Sequence, residues 1–250
     1  MVARRRLDTE LVRRGLVTGR ARAAELVATG TVLVNGAVAD KSARLVAPGD
    51  AVIIIAPAPR YVGRGGEKLD AALEHFGVDV CDLRGLDVGA STGGFTDCLL
   101  ARGASHVVAL DVGHGQLHPR IRDDPRVTVL ERTNVRAADV DTIDGRVDLL
   151  VADVSFISLT MIIPVLAALC HPGSPMVLLV KPQFEAGRAE VGRGRGVISD
   201  DTVHERVQAE IDAALRAADC RVAGWMDSPL LGHRGNRELF VHAMTAERQP

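Results

Sequence analysis

The order of apolar and polar positions from residue 64 onward alternates between helix-like and strand-like segments. Short runs rich in Val, Leu and Ile, closed by Gly, Asp or Pro, predict seven strands. The predicted strands cover 84–89, 105–111, 126–130, 147–153, 176–181, 222–227 and 237–244, and helices are predicted over 66–76, 93–102, 157–169 and 200–218. Because the two kinds of segment alternate, we expect an α/β fold with a doubly wound, mostly parallel sheet that binds ligands at the carboxyl ends of its strands.

Residues 4–60 follow a different pattern, which begins with two short helices. Apolar residues at helical spacing in "RRRLDTELVRRGL" predict the first helix, with Asp8 or Thr9 as its N-cap. The segment "TGRARAAELVATG" predicts the second, from a Thr18 cap to a stop at Gly30.

Strand-like segments follow these helices. In "TVLVNGAVADK" alternating apolar residues flank Asn35-Gly36, which predicts a β-hairpin, and "VAPGDAVIII" predicts a turn and another strand. We therefore expect a small α+β domain at 1–59, a linker at 60–63 and a larger domain at 64–250.

Positive charge is concentrated in the smaller domain. Residues 1–64 contain ten Arg and one Lys against five acidic residues, a net charge of +6, and since the whole chain carries -2 the remainder carries -8. Arginine forks onto phosphate, so a cluster on two helices predicts a contact with nucleic acid, although a solvated charged face would look the same. The clustered residues are Arg4, Arg5, Arg6, Arg13, Arg14, Arg20 and Arg22.

Composition excludes several other classes of protein. The four cysteines are far apart and form no CxxC pair, which argues against a zinc site or a disulfide framework. The N-terminus has no apolar stretch of the kind found in secretory signals. Residues 154–180 carry no charge, but Pro164 and "HPGSP" interrupt them, which favours a helix, a turn and a buried strand over a membrane span. We expect a reduced, cytoplasmic protein without a metal or a membrane partner.

The segment "GLDVGASTGGF" (85–95) predicts a cofactor loop at the end of the first strand of the sheet. Its glycines allow a ligand close to the backbone, and Asp111 closes the next strand about 20 residues later, where a ribose diol is held. The loop has neither GxGxxG spacing nor a GK[ST] motif, which favours a nucleoside cofactor without pyrophosphate, S-adenosylmethionine, over a structural glycine turn. The candidate cofactor residues are Asp87, Gly89, Ala90, Ser91, Gly93, Gly94, Phe95, Asp111, Asn134 and Asp153.

Candidate catalytic residues stand near other strand ends. Asp153 and Lys181 close two predicted strands, Lys68 begins a helix and Glu238 opens the last strand. Each one alone could be a surface or strand-end charge. Only three of the 30 basic residues are lysines, and lysine differs from arginine in that it can lose its proton and act as a base.

These motifs resemble known families. The text "RLDTELVRRGL" and "GRARAAELVATGTVLVNG" resembles the S-four-type RNA-binding domain, which implies binding to structured RNA. Residues 64–250 resemble the FtsJ/RrmJ-type ribose 2'-O-methyltransferases, whose Lys-Asp-Lys-Glu tetrad matches Lys68, Asp153, Lys181 and Glu238. The whole chain resembles the TlyA family, which implies a class I methyltransferase that methylates cytidine riboses in small- or large-subunit rRNA and leaves the oligomeric state open.

The chemistry suggests a role for each tetrad residue. A ribose hydroxyl is a poor nucleophile, so Lys181 is expected to act as the base, with Lys68 making it easier to deprotonate. Asp153 would orient Lys181, and Glu238 would position Lys68 or the ribose, with no metal required.

Further RNA contacts are expected from Arg64 and from a glycine-rich loop after Lys181 that carries Arg188, Arg193 and Arg195, unless that loop is only a connector. Two other functions stay open. One is a membrane-active haemolysin, suggested by the uncharged 154–180 segment and by the family's older name. The other is an RNA-binding protein with a catalytically idle fold.

Overall fold

The computed structural model describes residues 4–55, 59–186, 197–232 and 234–247. The chain forms two units, Met1–Pro59 and Arg60–Pro250, and each has its own buried core. Arg188, Arg193 and Arg195 lie outside the described residues.

The first unit packs two helices against short antiparallel strands. Leu7 and Leu11 of the first helix and Ala23 and Val27 of the second are buried with the inward face of the strands. Strands β2, β3 and β5 form one sheet in the order β3-β2-β5, and β1 pairs with β4. The elements are β1 (Arg5–Arg6), α1 (Leu7–Arg13), α2 (Arg20–Ala28), β2 (Val32–Val34), β3 (Ala37–Val38), β4 (Leu45–Val46) and β5 (Val52–Ile54).

The turn of the predicted hairpin is found where the sequence places it. Val34 pairs with Ala37, and both residues between them have positive φ, 53° at Asn35 and 81° at Gly36. Two positive φ angles are those of a type I′ turn, which explains the Asn-Gly sequence.

The predicted N-caps of both helices are wrong, whereas α2 ends before Gly30 as predicted. α1 begins after Arg6 without a side-chain cap, because the Asp8 carboxylate lies within the first turn and accepts hydrogen bonds from Arg6 and Arg20. α2 begins after Gly19 rather than at a Thr18 cap. In both places local capping preference is overridden, at α1 by a contact between the two helices.

The second unit is built on a seven-stranded sheet in the order β11-β12-β10-β9-β6-β7-β8. All neighbours are parallel except β12, which runs antiparallel to β10 and β11. Its strands are β6 (Arg84–Val88), β7 (His106–Leu110), β8 (Val127–Leu130), β9 (Leu149–Ala152), β10 (Pro175–Val180), β11 (Arg221–Asp227) and β12 (Leu239–Met244). The predicted doubly wound α/β fold is therefore confirmed.

Helices cover both faces of this sheet. Alternate strand residues divide between two cores, so that Leu86, Leu150 and Leu178 belong to one and Val107, Val151 and Val177 to the other. The helices are α3 (Arg64–Phe76), α4 (Gly94–Ala101), α5 (Pro119–Arg122), α6 (Ile163–Leu169), α7 (Pro182–Glu185) and α8 (Asp201–Ala217), with 3-10 helices at Val135–Ala137 and Leu159–Met161.

The uncharged segment 154–180 is divided as predicted into helical and strand parts. It contains a three-residue 3-10 helix, the seven-residue α6 and the buried strand β10. Among the helices of the described residues, none combines the length and the apolar character needed to cross a membrane.

Residues 60–63, expected as a linker, are packed into the second unit. Tyr61 is buried in the same core as α3 and α4, and the backbone N–H of Val62 donates a 2.8 Å hydrogen bond to Asp97. A Cβ at Gly66 would lie 2.4 Å from the Tyr61 side chain, so the glycine is what admits this ring. The aromatic residue makes the segment part of the core rather than a spacer.

Candidate active site

Strand register brings the predicted catalytic residues to one edge of the sheet. Val88 pairs with Ala152, and Ala152 pairs with Leu178, so Gly89 and Asp153 follow neighbouring parallel strands. The antiparallel partner of Val180 is Leu239. Lys181, which follows β10, and Glu238, which precedes β12, therefore stand at adjacent positions of this edge.

A cavity of about 450 Å³ opens at this edge. Five of the predicted cofactor residues line it, and these are Gly89, Ser91, Asp111, Asn134 and Asp153. The remaining walls include Val112, Gly113, Gln116, Thr133, Ser155, Phe156 and Ile157. Its size is in the range of small-molecule and cofactor sites.

The backbone at Gly89 passes very close to the neighbouring strand end. Gly89 has φ of +87°, and a Cβ there would lie 2.6 Å from the carbonyl oxygen of Asp153. Any side chain would push apart the two strand ends that border the cavity, so this position requires glycine.

Asp111 ties two loops of the cavity together. One carboxylate oxygen accepts a 2.8 Å hydrogen bond from the Ser91 N–H and the other a 2.6 Å bond from the Gly113 N–H. Asn134 stands nearby as the N-cap of a 3-10 helix, where its side-chain oxygen accepts from the Arg136 N–H. Carboxylate oxygens suited to ribose hydroxyls and an amide suited to adenine therefore border one cavity.

The other predicted cofactor residues, Asp87, Ala90, Gly93, Gly94 and Phe95, are not among those that line the cavity. Asp87 is fully buried and accepts hydrogen bonds from the N–H and hydroxyl of Thr96, which fastens β6 to α4. Its burial raises the pKa of Asp87 to about 7.

Gly93 and Gly94 instead serve the start of α4. Gly93 has φ of +92°, and a Cβ at Gly94 would lie 3.0 Å from the backbone nitrogen of Gly66. Phe95 stacks on Phe240 at a ring distance of 6.2 Å in the core. These residues shape the loop and the start of α4, and their role as cofactor contacts stays a prediction.

The chemistry of the lining residues fits S-adenosylmethionine. Asp111 supplies acceptors for a diol, Asn134 an amide for a base, and Asp153 a negative charge near the cavity mouth where a sulfonium is stabilised. The close approach at Gly89 leaves the backbone exposed to the ligand instead of a side chain.

The four tetrad residues form two lysine–carboxylate pairs. Lys181 Nζ is ion-paired with Asp153 Oδ1 and donates a 2.9 Å hydrogen bond to Ser155 Oγ. Lys68 Nζ donates a 2.6 Å bond to Glu238 Oε2. The side chains of the second pair are only 10% and 3% exposed. Each lysine therefore has its own counter-charge, and Asp153 of the first pair lines the cavity.

The start of α3 approaches the first pair. A Cβ at Gly65 would lie 3.9 Å from Asp153 Oδ2, and Lys68 is three residues further along the same helix. Arg64 donates a 2.9 Å hydrogen bond to the carbonyl of Leu231. Arg64, expected as an RNA contact, is thus engaged in holding α3 to the loop before β12.

The structure adds residues that sequence reasoning missed. Phe156 lines the cavity with a side chain that is 92% exposed, has φ of 66°, and packs on Phe184 at 5.1 Å. Gln116 also lines the cavity and accepts from the Ser91 hydroxyl. Glu185 accepts from the Ser158 hydroxyl and the Leu159 N–H, and burial raises its pKa. Phe156 could have been predicted as a site residue from its position in the loop that follows β9.

In the first unit, buried carboxylates hold most of the predicted RNA-binding arginines. Asp8 pairs with Arg6 and Arg20, and Glu10 with Arg13 and Arg14. The pKa of Glu10 is lowered to about 2, first by hydrogen bonds from Arg13 and Arg14. The guanidinium groups of Arg6, Arg13 and Arg20 nevertheless stay about half exposed.

Arg14 has a different environment from the other paired arginines. It also donates to the backbone carbonyls of Asp50 and Pro48, and its side chain is only 20% exposed. Arg22 pairs with Glu25 at the surface, and Arg4 and Arg5 are exposed.

Family models match both units. The model of the FtsJ-like methyltransferase matches residues 61–245, and that of the S4 domain matches residues 5–52. The chain is 47% identical over 246 residues to a protein of Mycobacterium tuberculosis named 16S/23S rRNA (cytidine-2'-O)-methyltransferase TlyA, covering 98% of this chain and 91% of that protein.

Solved structures share the fold. A putative hemolysin from Streptococcus thermophilus is 38% identical with a TM-score of 0.73, covering 98% of this chain and 90% of that one. Magnesium protoporphyrin IX methyltransferase from Synechocystis, solved with bound SAH, has a TM-score of 0.53 at 16% identity, covering 73% and 83% of the two chains, which shows a common fold alone.

Proposed function

The chain belongs to the FtsJ-like methyltransferase family, and we propose that it methylates the ribose 2'-hydroxyl of a cytidine in ribosomal RNA with S-adenosylmethionine as methyl donor. The observation that carries this proposal is the pairing of Lys181 with Asp153 at the mouth of the cavity that Asp111 and Asn134 also line. The name of the M. tuberculosis relative supports rRNA as the substrate.

Within this proposal, the cavity residues hold the cofactor. Asp111 would accept from the ribose hydroxyls, Asn134 would contact the adenine, and Asp153 would face the positive sulfur. When bound, S-adenosylmethionine supplies a methyl group carried on that sulfur.

The protein's own residues manage the 2'-hydroxyl. The oxygen would gain the methyl carbon as the carbon–sulfur bond breaks, so the hydroxyl proton must leave, and Lys181 in its amine form accepts it at Nζ. Asp153 stabilises the ammonium that results, because an opposite charge in contact favours the charged form. Lys68, held by Glu238, positions the ribose. Much of the rate comes from holding hydroxyl and methyl in line.

The alternative of a membrane-active haemolysin is not favoured. The uncharged segment on which it depended supplies the buried strand β10 and the short helix α6 of the methyltransferase sheet. The idle-fold alternative is opposed by the intact tetrad: Asp153, Lys181 and Glu238 stand at one sheet edge, and Lys68 of α3 bonds to Glu238.

The test measures transfer of radiolabelled methyl from S-adenosylmethionine to purified small and large ribosomal subunits. Wild type is compared with Lys181→Ala and Lys181→Arg, and Arg216→Ala on the outer surface of α8 serves as a control for loss of a cation. We expect label on a cytidine ribose with wild type and the control, and at least about 100-fold less with both Lys181 variants.

Activity retained by Lys181→Arg would keep the enzyme but make Lys181 a positioning charge instead of the base. Label on a base, or no label on either subunit with cofactor binding intact, would contradict the proposed function.

A further inference from the structure

Lys181 is anchored by two residues of the loop that follows β9. Its Nζ is ion-paired with Asp153 and donates a 2.9 Å hydrogen bond to Ser155 Oγ. Both anchors also line the cavity, so the amino group is fixed from the cofactor side. Ser155 is not one of the four tetrad residues, and it was not predicted as a site residue from the sequence.

The number of contacts that hold Lys181 Nζ determines the direction of its lone pair, which is the position that accepts a proton. A lysine nitrogen is tetrahedral, with one bond to carbon, and its neutral form has two N–H donors and one lone pair. Ser155 Oγ accepts one N–H group, and the Asp153 carboxylate is in ion-pair contact with Nζ on another side, which restricts the directions left for the lone pair. The ring of Phe184, 5.9 Å from Nζ, borders the group on another side.

We propose that Ser155 is a positioning residue for methyl transfer. Together with Asp153 it fixes the rotation of Lys181 Nζ, so that the lone pair faces the incoming 2'-hydroxyl. This inference rests on the proposed function, and it concerns the proton that the hydroxyl releases. With Asp153 alone as anchor, the amino group turns about that single contact and its lone pair is no longer directed.

The surroundings of Ser155 indicate that it positions Lys181 and does not stabilise the fold. Ser155 is exposed, and within the described part of the chain its hydroxyl bonds only to Lys181. The same loop is fastened further along by Glu185, which binds Ser158 and the backbone of Leu159. Loss of the Ser155 hydroxyl should therefore leave the fold and the cavity unchanged.

The experiment compares Ser155→Ala and Ser155→Thr with wild type and with the control Ser105→Ala. Ser105 is also an exposed serine whose hydroxyl makes one hydrogen bond, to the carbonyl of Asp82, and it precedes β7 at the opposite edge of the sheet. Methyl transfer to ribosomal subunits is measured in single turnover at saturating cofactor, together with KM for the subunit and Kd for S-adenosylmethionine.

We expect Ser155→Ala to slow the single-turnover rate about 10- to 100-fold, the range for a misplaced catalytic group, with KM and Kd within about twofold of wild type. Ser155→Thr keeps a hydroxyl and should restore most of the rate. Ser105→Ala should match wild type.

If wild type methylates the ribose, two results would overturn the inference about Ser155. One is an unchanged rate with Ser155→Ala. The other is a Ser155→Thr variant as slow as Ser155→Ala, since the hydroxyl would then not be what matters. Absence of ribose methylation by wild type would instead overturn the proposed function itself.

Discussion

Lys68 and Glu238 are 170 positions apart in the sequence, yet their side chains share a buried 2.6 Å hydrogen bond. The contact joins the start of α3 to the residue that precedes β12. Because both charges are removed from water, they must neutralise each other, and neither side chain is tolerated alone. The pair therefore links the stability of the second unit to the geometry of its proposed active site.

Single and double substitutions distinguish the effect of this pair on stability from its effect on methyl transfer. Lys68→Met or Glu238→Leu alone leaves one buried group without its partner and should lower the free energy of unfolding by about 3–5 kcal/mol. The double variant Lys68→Met/Glu238→Leu should recover much of that loss but none of the methyl transfer. Urea denaturation and the methylation assay measure the two effects. A double variant with wild-type activity would exclude the pair from catalysis.

Phe156 combines exposure with an unfavourable backbone conformation. Its side chain is 92% exposed at the cavity edge, and its φ of 66° is uncommon for a bulky residue. Strain of this kind persists where function requires the residue, and an exposed ring at the edge of the cavity suits stacking against a nucleobase.

Phe156→Asn should consequently reduce methylation without reducing stability. Asparagine tolerates positive φ, so the free energy of unfolding should stay at the wild-type value or rise by up to about 1 kcal/mol. Loss of one stacked base should raise KM for the ribosomal subunit about 10-fold, since stacking contributes about 1–3 kcal/mol per base. Leu231→Asn, which removes another exposed apolar side chain of this unit, is the comparison. Equal effects of both variants would make the ring itself irrelevant.

Most of the fold could be predicted because it depends on local pattern. Strands β6, β7, β9 and β10 are apolar runs followed directly by a Gly, Asp or Lys, and the predicted bounds of all seven strands agree with the structure to within about two residues. Parallel strands also place their carboxyl ends at one edge, which is why Asp153 and Lys181 could be expected together.

What failed depends on contacts between distant residues or on the face that a residue occupies. Asp8 has the sequence position of a helix cap, but its carboxylate is taken by Arg20 of the next helix. Strand alternation turns Asp87 toward Thr96 of α4, a contact that was not predicted, and its role toward the cofactor stays a prediction. Neither partner can be chosen from local sequence.

Asp87 also predicts a pH dependence of stability. Burial raises its pKa from 3.8 to about 7, so the folded protein binds this proton more tightly than the unfolded chain does. The stabilisation is complete below pH 4 and is lost as pH rises through 7. Asp87→Asn removes this dependence, so relative to wild type the variant should gain on the order of a few kcal/mol in unfolding free energy between pH 5 and 8.

Asp139→Asn is a matched control for this titration. Asp139 accepts the same two bonds, from the N–H and hydroxyl of Thr142, but it lies at the surface and those bonds lower its pKa. The Asp139→Asn variant should show no gain in unfolding free energy relative to wild type between pH 5 and 8. A pH profile of Asp87→Asn parallel to that of wild type would mean that Asp87 is ionised throughout this range.

Arg20 and Arg14 test which arginines of the first unit face RNA. Both are held by a buried carboxylate, and replacing either with alanine removes one positive charge. Arg20 is 62% exposed, whereas Arg14 also donates to the carbonyls of Asp50 and Pro48. Arg20→Ala should weaken binding to ribosomal subunits and reduce the slope of log K against log salt by about one, with little change in Tm.

Arg14→Ala should instead change stability and leave RNA binding nearly unchanged, because the main contacts of Arg14 are within the first unit. Loss of its donors leaves Glu10 and two carbonyls with fewer partners, so the unit should lose about 1–3 kcal/mol of stability while the salt slope stays near the wild-type value. Filter binding at several salt concentrations and thermal unfolding measure both effects. Since the change in net charge is the same, equal slopes for the two variants would show that the unit attracts RNA by its overall charge and not by the exposed guanidinium groups that Asp8 holds at the surface.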